Sequence, residues 1–241
     1  MGNTEAGKQI WQTVGPEKRA AVQRMFGEVA PTYDRLNGLM SFSLHRRWRA
    51  LAVKALALKT GDRALDVCCG TGDFLSPLTV ATGGQGLVYG LDFCLPMLAE
   101  ARKKLPGVGL GLGDACRLPV REGAFQGVTV GWGIRNVPDI DGAHREICRV
   151  LSPGGRFVSI DMARPRNPLA AAFARWAFHT LTPLMGRLFG KAEAYTYLPE
   201  STDRFMSREE LAASMRQAGF AKVEWRDLFF GNICMHWGEK A

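Results

Sequence analysis

Hydrophobic residues near the start of the chain follow a helical spacing. One face of a helix is formed by residues three or four positions apart: Val22, Met25, Phe26, Val29 and Ala30. A second helix, rich in Ala and Leu, is predicted over residues 44–58. The residues between them, 30–42, are polar and aromatic, and we expect them to form a connector.

From residue 60 the pattern changes to short apolar runs that are rich in Val and Leu. These runs span residues 63–67, 86–91, 108–112, 127–130, 156–160, 222–228 and 233–237. Segments with helical spacing, such as residues 141–151, separate most of them. Strands that alternate with helices are typical of βαβ units. The pattern therefore predicts an α/β fold with a doubly wound, mostly parallel, seven-stranded sheet.

A chain of 241 residues fits one domain of this class. Within a single domain over residues 1–241, we expect four parts: an N-terminal helical lid (1–59), a ligand-binding core (60–164), a helical insertion after the fifth strand (165–205), and a C-terminal helix and strands (206–241). In the last part, Ser207 and Glu210 are spaced as a capping box, which opens a helix that Gly219 ends.

The composition is that of a globular protein, with 46% hydrophobic and 22% charged residues. A formal net charge of +8 favours an anionic partner. The 6 cysteines include no C-x-x-C pair and the 4 histidines are scattered, so we expect no metal site. We expect the cysteines to be free thiols and the protein to be located in a reducing compartment, the cytoplasm. No secretory signal or membrane-spanning segment is predicted.

The sharpest local signal is LDVCCGTGDF, residues 65–74, directly after the first predicted strand. Gly70 and Gly72 allow a tight turn and a close approach of backbone to ligand. A dinucleotide-binding turn has a third glycine where this chain has Leu75. Asp66 would repel a pyrophosphate, but it suits a ligand that carries an ammonium group.

Two more acidic residues end the next two predicted strands. Asp92 lies where a carboxylate can accept both hydroxyl groups of a ribose. Asp114 lies where it can accept from an adenine amino group, and Ala115 can offer its backbone N–H to the ring. Three acids at three successive strand ends fit S-adenosylmethionine as the cofactor. The alternative is that Asp92 and Asp114 are only turn residues.

Several longer segments resemble one family, the ubiquinone/menaquinone biosynthesis C-methyltransferases, which are class I, Rossmann-like, S-adenosylmethionine-dependent enzymes. In chain order they are FGEVAPTYDRLNGLMSFSLHRRWR (26–49), LDVCCGTGD (65–73), GWGIRNVPD (131–139), RVLSPGGRF (149–157) and YTYLPEST (195–202). The resemblance covers roughly residues 22–238. It implies methylation of a ring carbon of a polyprenylated quinol. The favoured substrate is demethylmenaquinol, and the ubiquinone precursor is a second candidate.

The resemblance also implies roles for individual residues. It places Thr71, Asp92, Asp114 and Ala115 at the cofactor, and it assigns Arg135 and Asn136 to catalysis. A departure is Gly131, where some family members have Ser, so any side-chain hydrogen bond from that position is lost here.

A quinol is a better carbon nucleophile as its phenolate, so the site should remove or share a phenol proton whose pKa is about 10. An arginine is a poor base but stabilises a phenolate well, so we assign Arg135 to electrostatic stabilisation and Asn136 to positioning. The base stays open among His179, Tyr195 and water.

Less specific interpretations exist for two of these catalytic candidates. His179 could be a helix histidine with no chemical role. Arg135 could instead form an ion pair with Asp139 or Asp141.

The composition of the predicted insertion favours a lipophilic substrate. Between Arg164 and Lys191 there are five cations and no acid, interleaved with Leu, Phe and Trp. Such a basic amphipathic helix can line a prenyl-tail channel or lie peripherally on the anionic inner face of the cytoplasmic membrane. Pro183 is expected to kink it. The alternative is a core or dimer helix, and an oligomer stays open.

Three competing functions remain. A nucleic-acid methyltransferase is suggested by the basic charge, but the chain has no N-P-P-[YF] box after the fourth strand, so no nucleic-acid partner is expected. Methylation of another small phenolic or lipid substrate is the main alternative. The third is a non-enzymatic subunit that only binds S-adenosylmethionine.

Overall fold

A computed structural model describes residues 9–13, 15–190 and 192–241. Its helices are α1 (Gly15–Val29), α2 (Tyr33–Met40), α3 (Leu44–Leu56), α4 (Leu75–Ala81), α5 (Leu95–Lys104), α6 (Ile140–Val150), α7 (Pro168–Leu188), α8 (Ala192–Asp203) and α9 (Arg208–Gln217). Its strands are β1 (Ala64–Val67), β2 (Val88–Asp92), β3 (Gly109–Leu112), β4 (Phe125–Gly131), β5 (Leu151–Met162), β6 (Phe220–Leu228) and β7 (Ile233–Lys240).

The strands form one seven-stranded sheet in the order β3-β2-β1-β4-β5-β7-β6. Strands β1 to β5 pair in parallel, and β7 runs antiparallel to both β5 and β6. The predicted doubly wound sheet is therefore confirmed. Strand order reverses between β1 and β4, and ligands of such sheets bind at the carboxyl ends of the strands at this point.

Hydrophobic cores cover both faces of the sheet. Successive strand residues point to opposite faces, so in β5 Phe157 packs into one core and Val158 into the other. Helices α6 and α9 complete the first core, and α3 and α4 complete the second. The capping box is confirmed as well: Ser207 and Glu210 each donate a backbone N–H to the other's side chain, and α9 begins there.

Residues 30–42 differ from the expected connector, and that prediction is wrong over most of its length. Helix α2 occupies its centre, with Leu36 buried and Tyr33, Asn37 and Met40 only partly exposed. These four residues are spaced three and four apart, which is helical spacing, and polar neighbours obscured it.

The lid and the insertion meet over the carboxyl edge of the sheet. Val22 and Met25 of α1 share a small buried cluster with Tyr197 of α8. Helices α7 and α8 pack against each other, and α7 runs through Pro183 as one helix. The lid and the α7–α8 pair thereby form the walls of the space above the strand ends.

Candidate active site

A cavity lies at the carboxyl ends of β1 to β4. We call it the strand-end cavity. Its lining residues are Arg19, Phe26, Tyr33, Cys68, Gly70, Asp92, Phe93, Met97, Gly113, Asp114, Ala115, Gly131, Trp132, Gly133, Asn136, Val137 and Pro138. It lies at the point where the strand order reverses, which is where ligands of such sheets bind. Five of the sequence-predicted site residues therefore line one cavity: Gly70, Asp92, Asp114, Ala115 and Asn136.

The turn after β1 depends on its two glycines. Both have left-handed backbone, with φ of +53° at Gly70 and +84° at Gly72. A Cβ on Gly72 would lie 3.2–3.3 Å from side chains of Leu75, Ala101 and Leu105. A Cβ on Gly70 would have no atom within 4 Å, because that position faces the strand-end cavity. Gly72 thus permits close packing and Gly70 leaves room for a ligand.

Asp92 is a buried carboxylate held by the backbone of two segments. It accepts hydrogen bonds from the N–H of Gly70 and the N–H of Cys94, each at 2.8 Å. Burial raises the pKa of Asp92 to about 6. A carboxylate has about four acceptor positions, so two remain for ligand hydroxyl groups. The geometry therefore fits the ribose end of S-adenosylmethionine.

Asp66 does not line the strand-end cavity, whereas Cys68 and Gly70, which follow it in the chain, do. Its side chain is buried, and the Thr129 hydroxyl donates to it at 2.8 Å. Burial raises the pKa of Asp66 to about 8, so the side chain is mostly protonated at neutral pH. A cationic group close to it, such as an ammonium group, would favour its ionised form.

Asp114 and Ala115 line the other end of the strand-end cavity. The N–H of Cys116 donates to Asp114 at 3.0 Å, and Arg19 of the lid helix α1 donates to its second oxygen at 2.6 Å. The sequence interpretation missed Arg19. Strand-end rules locate acids on the sheet but say nothing about which lid residue reaches them.

The Thr71 side chain belongs to a polar network rather than to the cavity wall. Its hydroxyl donates to Asp34 of α2 at 2.5 Å. Lys104 then donates to both Asp34 and Asp73 at 2.6 Å. These contacts fasten the lid to the glycine turn, and they join segments that are distant in the sequence.

Beside the strand-end cavity lies a large apolar groove of about 1690 Å³, lined mainly by α2, α3, α7 and α8. Phe26, Tyr33 and Trp132 line both spaces. Arg135 and His179 line the groove only. The two spaces are therefore adjacent, and a ligand in each would meet at these three aromatic residues.

Arg135 is buried, and its ion-pair partner is neither Asp139 nor Asp141. It forms an ion pair with Asp161 at the end of β5, and its Nη1 also donates to the backbone oxygen of Trp132 at 3.1 Å. The alternative interpretation, an ion pair with Asp139 or Asp141, named the wrong partner. Asp139 caps α6 by accepting from the N–H of Gly142, and Asp141 accepts from Ser214 of α9.

A second nitrogen of this guanidinium is notable, because Nε of Arg135 is buried with no partner among the described residues. The neighbouring Asn136 donates to the Trp132 carbonyl at 3.1 Å and accepts from the Tyr197 hydroxyl at 2.9 Å. Asp161 was missed, although an acid at a strand end is the same signal that identified Asp92 and Asp114.

His179 lies on α7, and its Nε2 is 3.1 Å from a carboxylate oxygen of Asp203. The same oxygen pairs with Arg175 at 3.1 Å. An imidazole that donates from Nε2 keeps the lone pair of Nδ1 for accepting a proton. Tyr195, the other candidate base, is buried, and burial raises its pKa, so it is a poor base near neutral pH.

At Gly131 the structure explains how this chain tolerates the missing side chain. A Cβ there would lie 2.5 Å from the ring of Phe74, which is itself buried. The phenyl ring occupies the space that a serine side chain would need.

A model of the ubiE/COQ5 methyltransferase family matches residues 12–240. The chain belongs to this family. As a member of the ubiE/COQ5 family it is an S-adenosylmethionine-dependent methyltransferase.

Curated relatives match over nearly the whole chain. The demethylmenaquinone methyltransferase of Desulfitobacterium hafniense is 39% identical over 99% of this chain and 97% of its own length. The demethylmenaquinone methyltransferase of Lactiplantibacillus plantarum is 40% identical over 91% of this chain and 95% of its own.

Solved structures share the fold of this ubiE/COQ5 family member at low identity. A possible histamine N-methyltransferase from Thermotoga maritima aligns with a TM-score of 0.66 and 21% identity, covering 90% of this chain and 99% of that one. A phosphoethanolamine N-methyltransferase of Haemonchus contortus, solved with S-adenosyl-L-methionine, aligns with a TM-score of 0.59 and 17% identity, covering 80% of this chain and 52% of that one.

Proposed function

We propose that this enzyme methylates a ring carbon of a polyprenylated quinol, converting demethylmenaquinol to menaquinol. The observation that carries the proposal is the apolar groove, which adjoins the strand-end cavity and is large enough for a ring with a long isoprenoid tail. The curated relatives that are about 40% identical over 91–99% of this chain bear the name of this reaction. S-adenosylmethionine supplies the electrophilic methyl group.

For the cofactor, we assign the strand-end acids in order. Asp66 attracts the ammonium group by its charge without lining the cavity, Asp92 accepts from the ribose hydroxyls, and Asp114 with Ala115 recognises the adenine. Gly70, Thr71 and Gly72 shape the turn between the first two acids. The buried carboxylates and the left-handed glycines support this assignment.

For the acceptor, Arg135 stabilises the ring oxygen as it becomes a phenolate. Its Nη1 is engaged by Asp161, which fixes the guanidinium, and its Nε has a hydrogen left to donate. A fixed donor in a buried site needs no reorganisation as charge develops, which makes it effective. Asn136 holds the backbone turn at Trp132 and thereby positions the acceptor ring.

His179 is our candidate for the group that removes the phenol proton. It lines the groove, and its contact with Asp203 orients the imidazole. Replacing it by Gln should lower kcat about tenfold or more. An unchanged kcat would assign the proton to water.

The exposed face of α7 supports contact with a lipid surface. Large apolar side chains stand exposed along it: Leu169 and Leu184 lie outside the groove, and Phe173, Trp176 and Leu181 also line the groove. Among the described residues no helix is long and apolar enough to cross a bilayer. We propose peripheral association with the anionic inner face of the membrane, where a prenylated quinol would enter the groove directly.

The charge that supports this association is smaller than the sequence suggested. Arg166 pairs with Glu209, and Arg175 pairs with Asp203, so acids outside the segment offset two of its cations.

The direct test incubates the purified enzyme with methyl-labelled S-adenosylmethionine and either reduced demethylmenaquinone or a reduced demethylated benzoquinone precursor. Product from the naphthoquinol alone supports the menaquinone assignment, and product from both means a dual-specificity enzyme. Oxidised quinone is the control, because it lacks the nucleophilic phenolate. If neither quinol reacts while the cofactor binds, another phenolic or lipid substrate replaces the proposal.

A further inference from the structure

Arg49 is a buried arginine with unused hydrogen-bonding capacity. It lies on α3 with only 7% of its surface exposed. Its Nη2 pairs with Asp73 at 3.1 Å, while Nε and Nη1 have no hydrogen-bond partner among the described residues. A buried polar group without a partner destabilises a protein, so a feature of this kind requires an explanation.

The carboxylate that pairs with Arg49 is itself shared. Asp73 also accepts from Lys104, at 2.6 Å. A guanidinium has five donors, and here it forms an ion pair with one oxygen of this shared carboxylate. The three N–H donors of Nε and Nη1 are therefore left without a partner among the described residues.

The position of Arg49 places this donor group at the junction of the two ligand spaces. Its guanidinium carbon lies 4.8 Å from the ring centre of Trp132 and 5.5 Å from that of Phe74. Trp132 lines both the strand-end cavity and the apolar groove, and Arg49 itself lines the groove. The two aromatic rings fix the guanidinium beside the place where the ligands meet.

We propose that Arg49 is a ligand-binding residue whose free N–H groups bind an anionic oxygen at this junction. Two sources have that chemistry: the α-carboxylate of S-adenosylmethionine and the ionised ring oxygen of the acceptor, the second of which rests on the proposed function. In either case, the ligand completes the hydrogen bonds that the protein leaves open.

The test uses Arg49→Met, which keeps the length and apolar volume of the side chain, and Arg49→Lys, which keeps the charge. Arg47→Met is the matched control, because Arg47 is exposed on the same helix. Calorimetry compares S-adenosylhomocysteine with 5′-methylthioadenosine, which lacks the amino-acid end. Steady-state kinetics then give KM and kcat for the quinol.

If Arg49 binds the carboxylate, Arg49→Met weakens S-adenosylhomocysteine about 10- to 100-fold, as expected for charged hydrogen bonds, and leaves 5′-methylthioadenosine within about twofold. If it binds the acceptor oxygen, both nucleosides bind normally while KM for the quinol rises about tenfold or more. Lysine rescues part of either loss. Unchanged 5′-methylthioadenosine binding shows in both cases that the variant is folded.

Two results overturn the proposal. One is an equal loss for both nucleosides, which assigns Arg49 to packing between α3 and the glycine turn. The other is no change in nucleoside binding or quinol kinetics. The nucleoside measurements need no quinol and can be made even if the wild-type enzyme methylates no quinol. In that case, an unchanged affinity of Arg49→Met for S-adenosylhomocysteine is enough to overturn the proposal.

Discussion

The strand-end cavity and the apolar groove share three aromatic residues but are built differently. The cavity is formed by short segments that follow consecutive strands, and its key carboxylate, Asp92, is held by backbone N–H groups. The groove is formed by helices from the lid and the insertion, and its polar groups, Arg135 and His179, are held by side chains of Asp161 and Asp203. The strand-end cavity is thus part of the sheet, whereas the apolar groove is formed by the helices added to it.

The largest expected effect tests the groove. Replacing Arg135 by Ala should lower kcat about 100- to 1000-fold, because it removes a fixed donor for the developing phenolate. Affinity for S-adenosylhomocysteine should stay within about twofold, since Arg135 does not line the strand-end cavity. Methyl-transfer kinetics and calorimetry measure the two quantities. The control is Arg145→Ala, because Arg145 is an exposed arginine on α6. A wild-type kcat in Arg135→Ala would remove Arg135 from the mechanism.

The reciprocal test concerns the strand-end cavity and removes the Asp92 carboxylate, which backbone N–H groups hold. Asp92→Ala should weaken S-adenosylhomocysteine about 100-fold, because the ligand loses its hydroxyl acceptor and the N–H groups of Gly70 and Cys94 lose theirs. Calorimetry measures the affinity. Glu100→Ala on the following helix should bind normally, and an affinity unchanged by Asp92→Ala would refute the ribose assignment.

A smaller effect concerns the pH dependence of stability. The pKa of Asp66 is raised to about 8 by burial, whereas an unfolded aspartate titrates near about 4. Between these values the unfolded chain has lost a proton that the folded protein retains, so stability falls as pH rises from about 4 to 8.

Asp66→Asn removes that dependence. Its free energy of unfolding in urea, relative to wild type, should therefore increase between pH 5 and pH 8, by at least about 1.4 kcal/mol. Glu122→Gln, at an exposed acid, should show no such trend. Parallel pH curves for Asp66→Asn and wild type would mean that Asp66 is ionised throughout.

The smallest effect tests the outer face of α7. Arg187→Gln should weaken partition onto anionic vesicles about fivefold at low salt, since one basic residue near such a surface contributes about 1 kcal/mol. Lys59→Gln, before β1 at the opposite edge of the sheet, should partition as wild type does. Equal partition of all three proteins at low salt would favour a packing role for this helix.

The same contrast explains what could be predicted from sequence. The seven strands, the glycine turn and the acids at three strand ends follow from local spacing, because a parallel sheet brings successive strand ends to one edge. Asp161 obeys the same rule and could have been found by it. The positions of these residues at the strand ends were therefore predictable without coordinates.

Contacts between distant segments were not accessible. Nothing in the local sequence indicates that Arg19 reaches Asp114, or that Arg49 lies between Phe74 and Trp132. Helix α2 was hidden because its polar residues resemble those of a loop, although Leu36 is buried. Such features depend on how helices pack over the sheet, and long-range packing leaves little trace in the spacing of residues.

The common wall of Phe26, Tyr33 and Trp132 has an evolutionary consequence. A substitution at any of the three alters both spaces at once, so a change that suits a new acceptor also disturbs the cofactor. Residues of α7 contact the groove alone and carry no such constraint. Divergence of this scaffold toward new acceptors should therefore accumulate in α7, while the three aromatic positions change only together with their neighbours.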